Sequence, residues 1–159
     1  MRNFFRIPFE CLKFLSYIQA VWYKLKENAM SEPAKKTVLI CDDDDLLREF
    51  YSRVLKTQGL LTISATNGDE AIEVLEKNPG KICLAIIDLL MPVRTGWELI
   101  EYMKSQDSMK AIPVIAITGL ATSFDEFEKV KATCNAVLHK GDFDLEQFNS
   151  IIKSLTGDK

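Results

Sequence analysis

Residues 38–41, Val-Leu-Ile-Cys, run directly into four consecutive aspartates, Asp42 to Asp45. A short run of Val, Ile and Leu predicts a strand buried on both of its faces. Side chains just past its end then emerge at the rim of a sheet, where open α/β folds bind ligands. Two carboxylates about 4 Å apart repel by about 4 kcal/mol at an effective dielectric of about 20. A cation relieves that repulsion, and hard carboxylate oxygens suit Mg²⁺ or Ca²⁺. Capping of a following helix accounts for one aspartate, not for four.

The same transition recurs along the chain. Residues 82–87, Ile-Cys-Leu-Ala-Ile-Ile, end in Asp88, and residues 112–117, Ile-Pro-Val-Ile-Ala-Ile, end in Thr118. A weaker run, Asn-Ala-Val-Leu-His at 135–139, ends in Lys140. Were these runs neighbouring parallel strands, one crevice would gather an acidic cluster, a further carboxylate, a hydroxyl and an ammonium. That set suits phosphoryl chemistry on an aspartate. A metal neutralises the phosphoryl oxygens, and the hydroxyl and the amine take up the remaining charge.

Between these runs the pattern switches to helical spacing. Strands are expected at 37–41, 60–65, 82–87, 113–117 and 135–139, and helices near 44–58, 68–77, 96–105, 123–133 and 144–155. In the first helix Leu46, Leu47, Phe50, Val54 and Leu55 fall at helical spacing. Asn67 is placed to cap the second, and Asn78-Pro79-Gly80 to end it. Trp97, Leu99, Ile100 and Tyr102 read as packing positions of the third. Five strands alternating with five helices predict an α/β fold with a doubly wound parallel sheet.

At 159 residues the chain suits one domain plus an extension. Its net charge of −3 is unevenly spread, because residues 1–29 carry an excess of basic groups and the remainder is acidic. An acidic main domain without a basic stripe argues against direct nucleic-acid binding. Cys11, Cys41, Cys83 and Cys134 have neither zinc-site nor CxxC spacing. Cys41 and Cys83 fall in strands expected to be buried, and a reducing, cytoplasmic compartment is the expectation.

Residues 1–36 read as an extension and linker ahead of a domain at 37–156. Wound as a helix from Phe9 to Glu27, this extension places Cys11, Phe14, Leu15, Ile18, Val21, Trp22 and Leu25 on one face. The uncharged stretch from Phe14 to Tyr23 is too short to span a bilayer, and no convincing signal-peptide cleavage site follows it. A peripheral membrane helix or a self-association helix at residues 9–27 is the expectation. Met30, with the polar leader Ser-Glu-Pro-Ala-Lys-Lys behind it, offers an alternative translation start.

The segments VLICDDDD, LAIIDLLMP with RTGWELI, VIAITG and AVLHKG resemble the receiver domain of two-component response regulators, in that family's order and spacing. The resemblance implies a stand-alone, single-domain receiver with a flavodoxin-like sheet of strand order 2-1-3-4-5. It implies a phosphorylation-activated signalling switch, with Asp88 as phosphoacceptor for a histidine kinase or histidine phosphotransfer protein. Asp42, Asp43, Asp88 and the backbone carbonyl of Leu90 would hold Mg²⁺, for which Mn²⁺ could substitute. Thr118 and Lys140 would bond the phosphoryl oxygens. Output would pass to a downstream protein through the face of the fourth helix, fifth strand and fifth helix. The only chemistry expected is self-phosphorylation and self-dephosphorylation.

The chain departs from the family's pattern at several positions. Gly141 follows Lys140 where a proline is usual, Thr95 precedes Gly96 where aspartate is frequent, and Val137 replaces a common aromatic. Leu90 and Leu120 are apolar where polar groups often assist an attacking water. His139, the only histidine, reads as a packed or rim residue. Two other readings remain open. A haloacid dehalogenase-type phosphohydrolase would use Asp42 and Asp44 in a DxD pattern, but it leaves Asp88 and its Met-Pro loop unexplained. A non-phosphorylated, receiver-fold interaction module would make no use of the acceptor.

Overall fold

The computed structural model describes residues 18–24, 36–119 and 124–157. Residues 18–24 are helical, with Ile18, Val21, Trp22 and Tyr23 exposed. The rest of the expected amphipathic helix at 9–27 lies outside the described residues. So do the Met30 leader and Leu120.

Residues 36–157 alternate strand and helix throughout. The strands are β1 (Thr37–Cys41), β2 (Leu61–Ala65), β3 (Ile82–Asp88), β4 (Val114–Thr118) and β5 (Ala136–His139). The helices are α1 (Asp45–Thr57), α2 (Gly68–Lys77), α3 (Gly96–Ser105), α4 (Phe124–Thr133) and α5 (Leu145–Thr156). All strand pairings are parallel, in the order β2-β1-β3-β4-β5. The chain reverses its direction of travel across the sheet between β1 and β3, the point at which open α/β sheets form a ligand crevice.

Alternation along the central strands divides the core into two layers. Val38, Ile40, Leu84, Ile86, Ile115 and Ile117 pack with Tyr51 and Leu55 of α1 and with Phe148 and Ile152 of α5. Leu39, Cys41, Ala85, Ile87, Val114 and Ala116 face the other way, toward Ala71 and Leu75 of α2 and Leu99, Ile100 and Met103 of α3. Because both faces are covered, these strands need apolar residues at every position, which is why they read as unbroken runs. β2, at the edge, is only partly covered and keeps polar residues.

One expectation needs correction, and α1 buries a residue that its apolar spacing leaves out. Leu46 and Phe50 are exposed, Leu46 at 77%, whereas Tyr51 is buried. Tyr51 packs against Phe143 and Phe148, which a count of apolar spacings passes over because tyrosine carries a polar tip. Cys83 is half-buried rather than buried; it sits where the β1–β3 register shifts, packed against the layer that holds Leu84 and Tyr51. Trp97 and Tyr102 do pack against the core, and the Tyr102 hydroxyl donates to Glu76 at 2.8 Å.

Candidate functional site

The carboxyl ends of β1, β3, β4 and β5 carry the four groups singled out from the sequence. Asp42 follows β1, and Asp88 is the last residue of β3. Thr118 is the last residue of β4 and fully buried. Lys140 follows β5, at the start of a 3₁₀ turn, Lys140–Asp142. Parallel pairing brings these ends to one rim. Asp88 lies opposite Ile117 in the sheet, which places Thr118 one residue nearer the edge.

Carboxylate oxygens of Asp42, Asp43 and Asp88 lie within 4.8 Å of one another. Asp42 and Asp88 are 2% and 3% exposed, whereas Asp43 is open to solvent. Backbone groups orient the buried pair. The Asp44 N–H donates to Asp42 Oδ1 at 2.9 Å, and the Leu90 N–H donates to Asp88 Oδ1 at 3.0 Å. Lys140 Nζ donates to Asp88 Oδ2 at 2.6 Å and stands 3.0 Å from Asp42 Oδ2. That second approach is a charge contact without hydrogen-bond geometry, so Asp42 Oδ2 is a buried oxygen that accepts no hydrogen bond.

Electrostatics follow from this packing. Burial pushes the Asp42 carboxyl up, against the opposing pull of the Asp44 N–H and of Lys140. Burial pulls Lys140 down, but its contacts with Asp88 and Asp42 outweigh that and leave its ammonium above the usual lysine value. The residues present fit a divalent cation. They offer hard oxygens from three carboxylates, one of them with an unsatisfied buried atom, and an open side at Asp43.

Asp44 turns away from this group. Its side chain caps α1 by accepting from the Leu46 and Leu47 N–H groups, which removes it from a DxD pair with Asp42. Thr95 caps α3 in a capping box with Glu98. His139 is half-buried where β5 ends and makes no side-chain cap of the following turn. Val137 packs against the core layer that also holds α2 and α3.

Sequence reasoning passed over Arg48. Its side chain is 12% exposed, and its guanidinium donates to the Asp42 carbonyl at 2.5 Å and pairs with Asp45. The spacing of Asp45 and Arg48, one helical turn, was the available signal. The arginine thus pins the loop that carries Asp42 and Asp43, and it brings positive charge beside them.

Comparison with known proteins identifies the family. The response regulator receiver domain model matches residues 38–153, and the chain belongs to that family. It is 30% identical over 123 residues to the polar-differentiation response regulator DivK of Brucella anthropi, covering 77% of this chain and 98% of the relative. The structure of the chemotaxis protein CheY4 of Vibrio cholerae superposes with a TM-score of 0.67 at 28% identity, over 77% of this chain and 99% of that one. The receiver domain of a sensor histidine kinase from Pseudomonas aeruginosa shares the fold, with a TM-score of 0.68 at 21% identity over 79% of this chain and all of that one. That structure holds a magnesium ion coordinated in its active-site cleft.

The protein is therefore a phosphorylation-activated signalling switch of the two-component type. Receiver domains interact with histidine kinases and with downstream effectors. The dehalogenase-type reading is not favoured. Among the described residues no helix is long and apolar enough to cross a membrane.

Proposed function

We propose that Asp88 is the phosphoacceptor and that Asp42, Asp43, Asp88 and the Leu90 carbonyl hold Mg²⁺, with Mn²⁺ able to replace it. The observation that carries this reading is the placement of Lys140, 2.6 Å from Asp88 and 3.0 Å from Asp42 on the rim where three carboxylates converge. Bound there, magnesium supplies positive charge that offsets the negative charge of phosphoryl oxygens. The chain's own groups do the rest. An Asp88 oxygen attacks phosphorus, the bond from phosphorus to the donor's histidine nitrogen breaks, and an acyl phosphate forms. The Leu90 N–H keeps the carboxylate oriented during attack. Lys140 then transfers its hydrogen bond from the carboxylate to a phosphoryl oxygen, and Thr118 supplies a hydroxyl to another.

The donor is a histidine kinase or a histidine phosphotransfer protein. The product is a state that binds a downstream protein through the face of α4, β5 and α5, without contact to nucleic acid. The protein's own chemistry is confined to gaining and losing this phosphoryl group. Residues 37–156 constitute the receiver, in the cytoplasm. Residues 1–36 form an extension whose stretch 9–27 associates with a membrane surface or with a second copy.

Intact-mass measurement after incubation with acetyl phosphate tests the assignment. The protein gains one phosphoryl group when Mg²⁺ or Mn²⁺ is present and none in excess chelator, and Asp88→Asn gains none. Uptake by Asp88→Asn would overturn the assignment. Absence of uptake by the wild type with Mg²⁺ would favour the interaction module. Rapid hydrolysis of a generic phosphomonoester would favour the phosphohydrolase.

A further inference from the structure

Among the described residues Val93 is the one non-glycine with a positive φ, +69°. For a β-branched residue this is a true outlier, and it persists only where the surroundings impose it. Packing of its own side chain does not, because Val93 is 82% exposed. The Arg94 N–H donates to the Pro92 carbonyl at 2.9 Å, closing a tight three-residue turn about Val93. A turn of this kind is itself strained, so something outside it must hold it shut.

The base of the loop is already closed. The Gly96 N–H donates to the Leu89 carbonyl at 3.1 Å, and a Cβ at Gly96 would fall 2.0 Å from the Asp88 carbonyl oxygen. Relaxation at Val93 cannot escape through α3 and must move the residues between Leu90 and Arg94. Arg94 is joined to the first turn of α2 in three ways. Its carbonyl accepts from the Gly68 N–H at 3.1 Å, and its Nε donates to Asp69 Oδ1 at 2.5 Å. Its stem lies on Gly68, where a Cβ would come 2.7 Å from Arg94 Cγ and 2.9 Å from Cδ. The ion pair is half-exposed and contributes little alone, so the backbone bond and the stem contact carry most of the hold.

We propose that Arg94 is a positioning residue for the phosphoryl site. Its clamp on Gly68 and Asp69 forces Val93 into the left-handed conformation. The clamp thereby fixes the segment from Asp88 to Met91, whose Leu90 N–H orients Asp88. The link to phosphoryl chemistry rests on the reading of Asp88 as acceptor; the clamp itself exists without metal or phosphate and is tested separately.

Amide exchange of the full chain in chelator reads the clamp through the Gly68 N–H. In Arg94→Ala this amide exchanges about tenfold faster than in the wild type, while Arg94→Lys, which keeps stem and charge, retains most of the protection. Gly68→Ala displaces the arginine stem without altering any charge, and it weakens Mg²⁺ binding measured by calorimetry, as Arg94→Ala does, by about threefold to tenfold. Val93→Gly removes the strain that needs holding. In that background Arg94→Ala changes Mg²⁺ affinity by less than about twofold. Unchanged Gly68 exchange in Arg94→Ala would overturn the proposal, and so would an equal effect of Arg94→Ala on Mg²⁺ affinity in both backgrounds. Failure of the wild type to take phosphate on Asp88 would overturn only the acceptor reading, because the exchange result stands apart from it.

Discussion

Asp88 and Lys140 meet at 2.6 Å, yet the segments that carry them are held in unlike ways. Asp88 ends a central strand paired on both sides, and the next residue donates its N–H to the Ile117 carbonyl at 2.9 Å. Its loop is closed by Gly96, at a spacing that admits no side chain. Lys140 leaves the four-residue edge strand β5 and enters a 3₁₀ turn without a side-chain cap. A Cβ at Gly141 would meet nothing within 4 Å. The anionic side of the site is thus set before any ligand arrives. The cation reaches in on a flexible four-carbon stem, which suits a group that must pass from a carboxylate to a phosphoryl oxygen.

The largest expected effect comes from breaking that meeting. Lys140→Ala leaves Asp42 and Asp88 buried without their ammonium, and in chelator it should lower stability to urea by about 3 kcal/mol. Mg²⁺ should return much of the loss, since bound metal stabilises by mass action. An equal loss with and without Mg²⁺ would mean that side-chain packing, not charge, is what Lys140 contributes.

Acidity should sharpen the comparison with a smaller effect. Asp42 has a folded pKa above its ordinary value of 3.8, because of burial. Between those two values the native state binds more protons than the unfolded state, so stability falls as pH rises through this window. Below the window both states are protonated, and above it the penalty is complete. Glu70 and Glu98 act with the opposite sign, since hydrogen bonds from Thr66 and Thr95 hold them low and their contribution fades on acidification. Urea midpoints in chelator, taken as wild type minus Asp42→Asn, should therefore rise as pH is lowered toward about 4. A flat difference would mean that Asp42 is better solvated than its burial implies.

The smallest effect belongs to the looser side. Gly141 has no positive φ and no neighbour in the way of a side chain. Gly141→Ala should stabilise the protein by about 0.5 kcal/mol, by reducing the freedom of the unfolded chain. A comparable Cβ at Gly96 has no room, and Gly96→Ala should cost several times as much in the same urea assay. Equal outcomes at the two glycines would erase the contrast between the loops.

Much of this arrangement could be read before the structure. β1, β3 and β4 are buried on both faces, so their apolar runs stand out, and a polar residue that ends such a run marks the sheet rim. Asp42, Asp88, Thr118 and Lys140 all lie where that reasoning puts them. Asn67 caps α2 as expected, because capping is a local event over three residues. What escaped depends on contacts distant in sequence or on residues of mixed character. Phe50 and Tyr51 both meet Phe143, but Tyr51 also packs on the buried Phe148 and is the one covered, and neither partner is visible from α1. The clamp from Arg94 to Asp69 joins residues 25 apart, beyond any periodic pattern. Arg48 folds back onto the Asp42 carbonyl, six residues earlier, a contact that no apolar spacing marks.

Chemical trapping of the phosphorylated residue tests the central assignment most directly. Borohydride reduces an acyl phosphate to the alcohol, so a phosphorylated aspartate is marked permanently and can be located by peptide mapping. After acetyl phosphate and Mg²⁺, the mark should lie on Asp88, with Asp42 and Asp43 unmodified. A mark on Asp42 or Asp43, or label that resists borohydride and maps to a serine or threonine, would contradict the account.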